Sequence, residues 1–173
     1  MIRIYPLIFI LLWSSAFITT KPIVDNSDPF AALAFRFFFV ALGFYFFSFY
    51  LNQSLITNKR KIAEAVLSGV LFHGFYLGGV FYSISIGMPV GIAALIVTLQ
   101  PVLTNILSGP ILDEKITTQQ WIGVLLGFTG ASLVLGLDIG SGIPLLGLIA
   151  TIIALLSITT VSYTHLTLPT KSS

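Results

Sequence analysis

The chain alternates long apolar runs with short polar breaks, and the length of the runs is informative. A bilayer core about 30 Å thick is crossed by about 20 apolar residues rising 1.5 Å each. Six stretches reach that scale: residues 4–20, 29–51, 62–84, 89–112, 119–137 and 143–160. Apart from Arg36 and Ser48, residues 35–50 are apolar on every side, whereas a membrane β-strand alternates apolar and polar over about 10 residues. The pattern therefore predicts an all-α, polytopic transmembrane helix bundle of about six helices. The breaks at 21–29, 52–61, 86–89, 113–118 and 138–142 are rich in Pro, Gly and charge, as helix connections are. None is long enough for a separate soluble domain.

Composition agrees and removes other classes. Hydrophobic residues make up 56% and charged residues 8%, with a mean hydropathy of +1.02, against about 25% charged in an ordinary soluble domain. Too few charges remain to cover a water-facing surface. The chain has no Cys, and its two His residues, His73 and His165, lie far apart, so no disulfide, metal site or cofactor is predicted. No nucleophile–base pair and no phosphate-cradling glycine loop is present, which leaves an enzyme without chemistry. The eight Lys and Arg residues are scattered, not the footprint of a nucleic-acid binder.

Their positions set an orientation. With the N-terminus cytoplasmic, Arg3, Lys59, Arg60, Lys61 and Lys115 fall inside and only Lys21 outside, as the positive-inside rule requires. The expected location is a bacterial inner (plasma) membrane. Residues 14–16 are small enough for a signal-peptidase site, so a cleaved leader is the alternative reading of the first span.

Candidate function lies in polar residues inside the spans. Arg36 is an ionisable residue about a third of the way along the second span, on the face of Ala32, Val40 and Gly43. Such a charge costs about 2.5–3.5 kcal/mol on insertion scales and usually faces a cavity or partner; it would hold a carboxylate, or else snorkel to the headgroups. Trp13, Ser14, Ser15 and Thr19 form a polar and aromatic patch in the first span, either lining a cavity or bonded back to their own helix. Tyr5 reads as an interfacial anchor. His73, accompanied by Tyr76 and Tyr82, is either a proton relay or a neutral helix contact. In the fourth span Gln100 and Pro101 precede Thr104 and Asn105. Pro101 cannot donate to the carbonyl of Val97, so a bend is expected there, with Gln100, Thr104 and Asn105 touching solute or joining helices. Gly74 and Gly78 in the third span, and Gly123, Gly127 and Ala131 in the fifth, are spaced for close helix approach.

The end of the chain differs. Residues 161–173 lose apolar persistence and resemble the translation of a transposon-type sequencing adapter, so they are read as a non-native tail, the alternative being a short polar terminus. His165 is accordingly assigned no chemistry.

The order of motifs resembles the EamA-type branch of the drug/metabolite transporter superfamily. It rests on Trp13-Ser14-Ser15-Ala16-Phe17, on residues 29–36 ending in Arg36, and on residues 82–101 with the tight turn at Met88 and Pro89. Leu112-Asp113-Glu114-Lys115-Ile116, Gln120-Trp121-Ile122-Gly123 and the glycines of 127–130 complete it, over about residues 3–136. The resemblance implies ten helices in two inverted five-helix repeats, both termini cytoplasmic, and movement of small solutes such as amino acids, other metabolites or drugs. Residues 3–136 would then be the first repeat and 143–160 the first helix of an incomplete second one. Alternating access moves one repeat against the other around a midplane site, so the fragment is expected to be inactive without the second repeat, normally supplied in cis. The expected partners are the lipid bilayer and a small-molecule solute, with homo-oligomerisation left open. The expected cavity is bounded by Trp13, Arg36, His73, Gln100 and Asn105. Two competing readings remain. A small-multidrug-type proton antiporter needs an embedded carboxylate, for which Glu64 is the nearby candidate. A non-transporting scaffold would consume Arg36, Gln100 and Asn105 in helix contacts.

Overall fold

A computed structural model describes residues 4–52, 58–104, 107, 117–135 and 142–167 of the chain. Every regular element among them is helical: α1 (Ile4–Asn26), α2 (Pro29–Tyr50), α3 (Lys59–Ser85), α4 (Val90–Thr104), α5 (Thr118–Leu135) and α6 (Leu145–Thr167). α1, α2, α3 and α6 are each long and apolar enough to cross a membrane, and α4 and α5 are shorter or less apolar companions. The chain is thus an all-α membrane helix bundle. In lipid every backbone polar group must be satisfied within the protein, which a helix does by itself.

Local chemistry sets the helix ends. The Asp28 carboxylate accepts from the backbone N–H groups of Phe30 and Ala31, both at 2.9 Å, with Pro29 in the first turn of α2, an N-cap followed by a proline whose missing N–H is not needed there. Asn58 caps α3 in the same way, accepting from Arg60 N–H at 2.9 Å. Thr117 and Gln120 form a reciprocal capping box at the start of α5, each side chain accepting from the other residue's N–H. Between α3 and α4, Met88 N–H donates to Ser83 carbonyl (3.0 Å) and Gly87 N–H to Ile84 carbonyl (3.1 Å), with Gly87 at φ +97°. These paired bonds and the left-handed glycine form a Schellman stop, which makes the expected tight turn.

Four details depart from the sequence reading. The first connection does not begin at Lys21 and Pro22: α1 runs through Pro22 to Asn26. Its terminal carbonyls are satisfied by side chains, Asn26 Nδ2 on Pro22 and Ser27 Oγ on Ile23, so the helix persists despite the lost bond. The third span is not uniformly α-helical, since Val70–Leu77 is wound as a π-helix. The sixth helix runs on to Thr167. The glycines that allow close approach are also different ones. A Cβ at Gly79 would sit 2.8 Å from the Ala150 carbonyl oxygen, and one at Gly147 3.3 Å from Met88 Cβ. One at Gly78 would merely touch the Phe30 ring, and at Gly74, Gly123 and Gly127 no other helix comes within reach.

The close contact at Gly79 makes α3 and α6 the centre of the bundle. Val80, Phe81, Ile84, Ala154 and Ile158 are buried between or beside them, while buried Ser83, Thr151 and Thr159 bond back to carbonyls in their own helices at 2.7–2.8 Å. α1 and α2 pack on the C-terminal part of α3, and α4 packs on α6, α1 and α5. In its most apolar 18-residue stretch α6 is 44% buried within the protein, and α2 only 6%, so α2 presents its Phe side chains outward. In hydrocarbon that exposure carries no hydrophobic penalty.

Candidate solute cavity

A cavity of about 330 Å3 opens between α1, α2 and α3, at the small end of the range of about 300–1,000 Å3 for ligand pockets. From α1 it is lined by Phe9, Leu12, Trp13, Ala16, Phe17 and Thr20, whose i, i+3 and i+4 spacing puts them on one helix face. From α3 it receives Phe72, Tyr76, Leu77, Val80 and Phe81; Phe72 and Tyr76 lie in the π segment, their ring centroids 5.3 Å apart. A π turn shifts the register of side chains around a helix and recurs at functional sites. Arg36 is the cavity's lining residue from α2.

Two further cavities adjoin. One of about 500 Å3 is lined by Phe9, Trp13 and Phe72 with Gln100 and, from α6, Ile158, Val161 and Ser162. The other, of about 430 Å3, lies between Trp13, Ser14 and Phe17 of α1 and Ala94, Val97, Thr98, Gln100 and Pro101 of α4. Trp13 borders all three, with Phe9 stacked on it at 5.5 Å.

Pro101 interrupts α4 as expected. The regular helix ends at Val97, residues 98–99 form a turn, and helix resumes at Gln100. Leu99 N–H donates to the Ile96 carbonyl at 3.1 Å, a tightened three-residue spacing, and Thr98 Oγ1 donates to Leu95 carbonyl at 2.6 Å. The interruption sits where α4 meets the two adjoining cavities, which is where broken helices are tolerated in membranes. Gln100 Nε2 donates to Ser162 Oγ at 2.9 Å, and Ser162 donates onward to the Ile158 carbonyl at 3.0 Å.

The structure therefore joins Trp13 and Arg36 in one cavity, and Trp13, Gln100 and Pro101 in its neighbour. His73 borders none of the three. Its ring lies 4.3 Å from that of Phe37 and 5.0 Å from that of Phe72. Ser15 Oγ donates to the Leu12 carbonyl at 2.8 Å on an exposed face. Thr104 is half-buried at the end of α4, and Asn105 lies outside the described residues, as does the side chain of His165. Glu64 is engaged by Arg60 one turn away at 2.9 Å at the polar start of α3. Phe9 and Phe72 are not marked by the sequence reading, and Phe17 enters it only as part of the family motif, not as a cavity residue. The four-residue spacing of Phe9, Trp13 and Phe17 is the signal available for Phe9 and Phe17.

The sequence pattern of the EamA-like transporter family matches residues 3–136. Over 88 residues the chain is 31% identical to a protein of Bacillus subtilis (strain 168) named as the uncharacterized transporter YvbV; the aligned stretch is 51% of this chain and spans about a quarter, 27%, of that relative. No solved structure matches.

Proposed function

Because this chain belongs to the EamA-like transporter family, we propose that it is part of a small-solute permease whose substrate enters beside Trp13. The observation that carries this reading is the position of Trp13: one indole borders three cavities, and Arg36 and the broken α4 flank it from opposite sides. A concave, mostly apolar site with a few polar groups suits a small organic molecule. Movement outward of amino acids, other metabolites or drugs is the substrate range we assign.

The chain carries a first five-helix repeat over residues 3–136, followed by the opening helix of a second in α6. Two features support the division. The family match ends at residue 136, and the aligned stretch accounts for only 27% of the Bacillus relative. The N-terminus is cytoplasmic, which places the Lys59, Arg60 and Lys61 cluster at the start of α3 inside, and the membrane is a bacterial inner membrane.

Uptake into proteoliposomes tests the reading, comparing this chain with the product read through the whole locus. Flux by the longer product and none by this chain is the expected result. Flux by neither, over a panel of amino acids, organic acids and amines, removes the permease. In the longer product, Arg36→Gln or Gln100→Leu is expected to reduce flux by about tenfold or more, the equivalent of one charge-assisted or buried hydrogen bond.

A second reading is a membrane scaffold in which polar residues only join helices, as Gln100 joins α4 to α6. In the longer product, scaffold behaviour predicts that Gln100→Leu lowers stability by about 0.6–1.7 kcal/mol with no flux before or after the change, whereas a permease shows flux that falls on the same change.

A further inference from the structure

We propose that the cavity between α1, α2 and α3 selects an amphipathic organic anion, with Arg36 holding its carboxylate and Trp13 packing against a small aromatic or branched body. The inference rests on the permease reading and names the substrate class of that site.

Arg36 lies seven residues into α2, about 10 Å from the helix start at 1.5 Å per residue. A guanidinium stays charged at any physiological pH, and in hydrocarbon it requires a partner. Among the described residues it has no ion pair. The two pairs present are Lys21–Asp25 and Arg60–Glu64, and the carboxylate of Asp28 is occupied in capping α2. Among the described residues Arg36 meets the ring of Phe37, with the guanidinium carbon 6.0 Å from the centroid, at the outer limit of a cation–π contact, and has the imidazole of His73 within electrostatic reach. Apart from the hydroxyls of Thr20 and Tyr76 the rest of the wall is aromatic and aliphatic, with no acidic residue among the described residues that line it.

These features discriminate between solute classes. A cationic amine would meet a fixed like charge and no carboxylate. A sugar would find few hydroxyl partners among the described residues, since Thr20 already donates to the Ala16 carbonyl at 2.7 Å and Tyr76 supplies the one other hydroxyl of the described wall. A carboxylate on an apolar body fits both ends, because guanidinium forms two parallel bonds with a carboxylate and the indole and phenyl faces take the body. The volume of about 330 Å3 restricts that body to a small one.

The test uses the full chain in phosphatidylcholine nanodiscs, carrying Trp121→Phe so that Trp13 is the one tryptophan reporting. Quenching is titrated with 4-nitrobenzoate, 4-nitrobenzamide and 4-nitrobenzylamine. Saturable quenching by the benzoate, with a Kd about tenfold or more below those of the other two, is expected for one charge-assisted contact. Arg36→Gln is expected to erase that gap and Arg36→Lys to retain part of it. Equal affinities, or a gap unchanged in Arg36→Gln, overturn the proposal, and the three-probe comparison decides alone if that variant does not fold. Repeating the titration in phosphatidylglycerol separates a solute from a lipid headgroup: competitive loss of binding makes Arg36 a headgroup anchor and overturns it. The two readings fail separately. Arg36-dependent benzoate binding without flux by any form defeats the permease alone, and flux of amines but not carboxylates by the longer product defeats the anion alone.

Discussion

Gly79 shows how much one missing methyl group decides. With no hydrophobic gain between helices in lipid, association depends on close packing, and the Ala150 carbonyl occupies the space a Cβ would need, at 2.8 Å. Backbone cannot yield as a flexible side chain can. Gly79→Ala should therefore destabilise the α3–α6 contact by about 1–3 kcal/mol, while Gly123→Ala, with nothing within 4 Å, should not. Unfolding in mixed detergent–SDS micelles, followed by circular dichroism, reads the difference; equal midpoints for the two variants would count against the observed crossing. From sequence alone Gly74, Gly78, Gly123 and Gly127 are indistinguishable from Gly79, because spacing shows which glycines share a face but not which face meets another helix.

At the scale of elements, two interruptions shape the cavity walls, and they differ in legibility. The break in α4 is readable from Pro101, whose missing N–H removes a defined bond. The π segment at Val70–Leu77 has no comparable marker, since all residue types can be wound either way and tertiary packing against α6 chooses. The turn joining these two helices yields a prediction of its own. Gly87, at φ +97°, occupies a conformation that costs an L-residue about 1–2 kcal/mol. Gly87→Ala should lower stability by that amount, and Gly69→Ala, on an open helical face, should be neutral or slightly stabilising. In addition, Pro101→Ala restores a donor to the Val97 carbonyl. Slower amide exchange across 98–101 is expected, and unchanged exchange would place the cause of the break elsewhere.

For the whole molecule, topology is the property most directly open to measurement. The chain contains no cysteine, so single cysteines report without background. An Asn26→Cys variant, at the last residue of α1, should react with a membrane-impermeant maleimide in intact cells. Lys59→Cys, at the start of α3, should react only after permeabilisation. The reverse pattern would invert the proposed orientation, and labelling of both in intact cells would remove α2 as a membrane crossing.

The sequence by itself determined that this is a helical membrane protein, because bilayer thickness converts directly into run length and the lipid interior forbids open strand edges, and the order of its motifs carried the resemblance to a transporter family. It also placed the tight turn at Met88 and Pro89 and the bend at Pro101, although Pro22 lies within α1 without ending it. It named Trp13, Arg36 and Gln100 as candidates because polarity in hydrocarbon is costly wherever it occurs. Only the tertiary structure decided which of them meet: Trp13 with Arg36 in one cavity and with Gln100 in its neighbours, and His73 with Phe37 and Phe72 instead of a cavity wall. Helix rotation and crossing depend on close contacts such as Gly79 against Ala150, between residues about seventy positions apart in the chain, and no local pattern encodes a contact of that range.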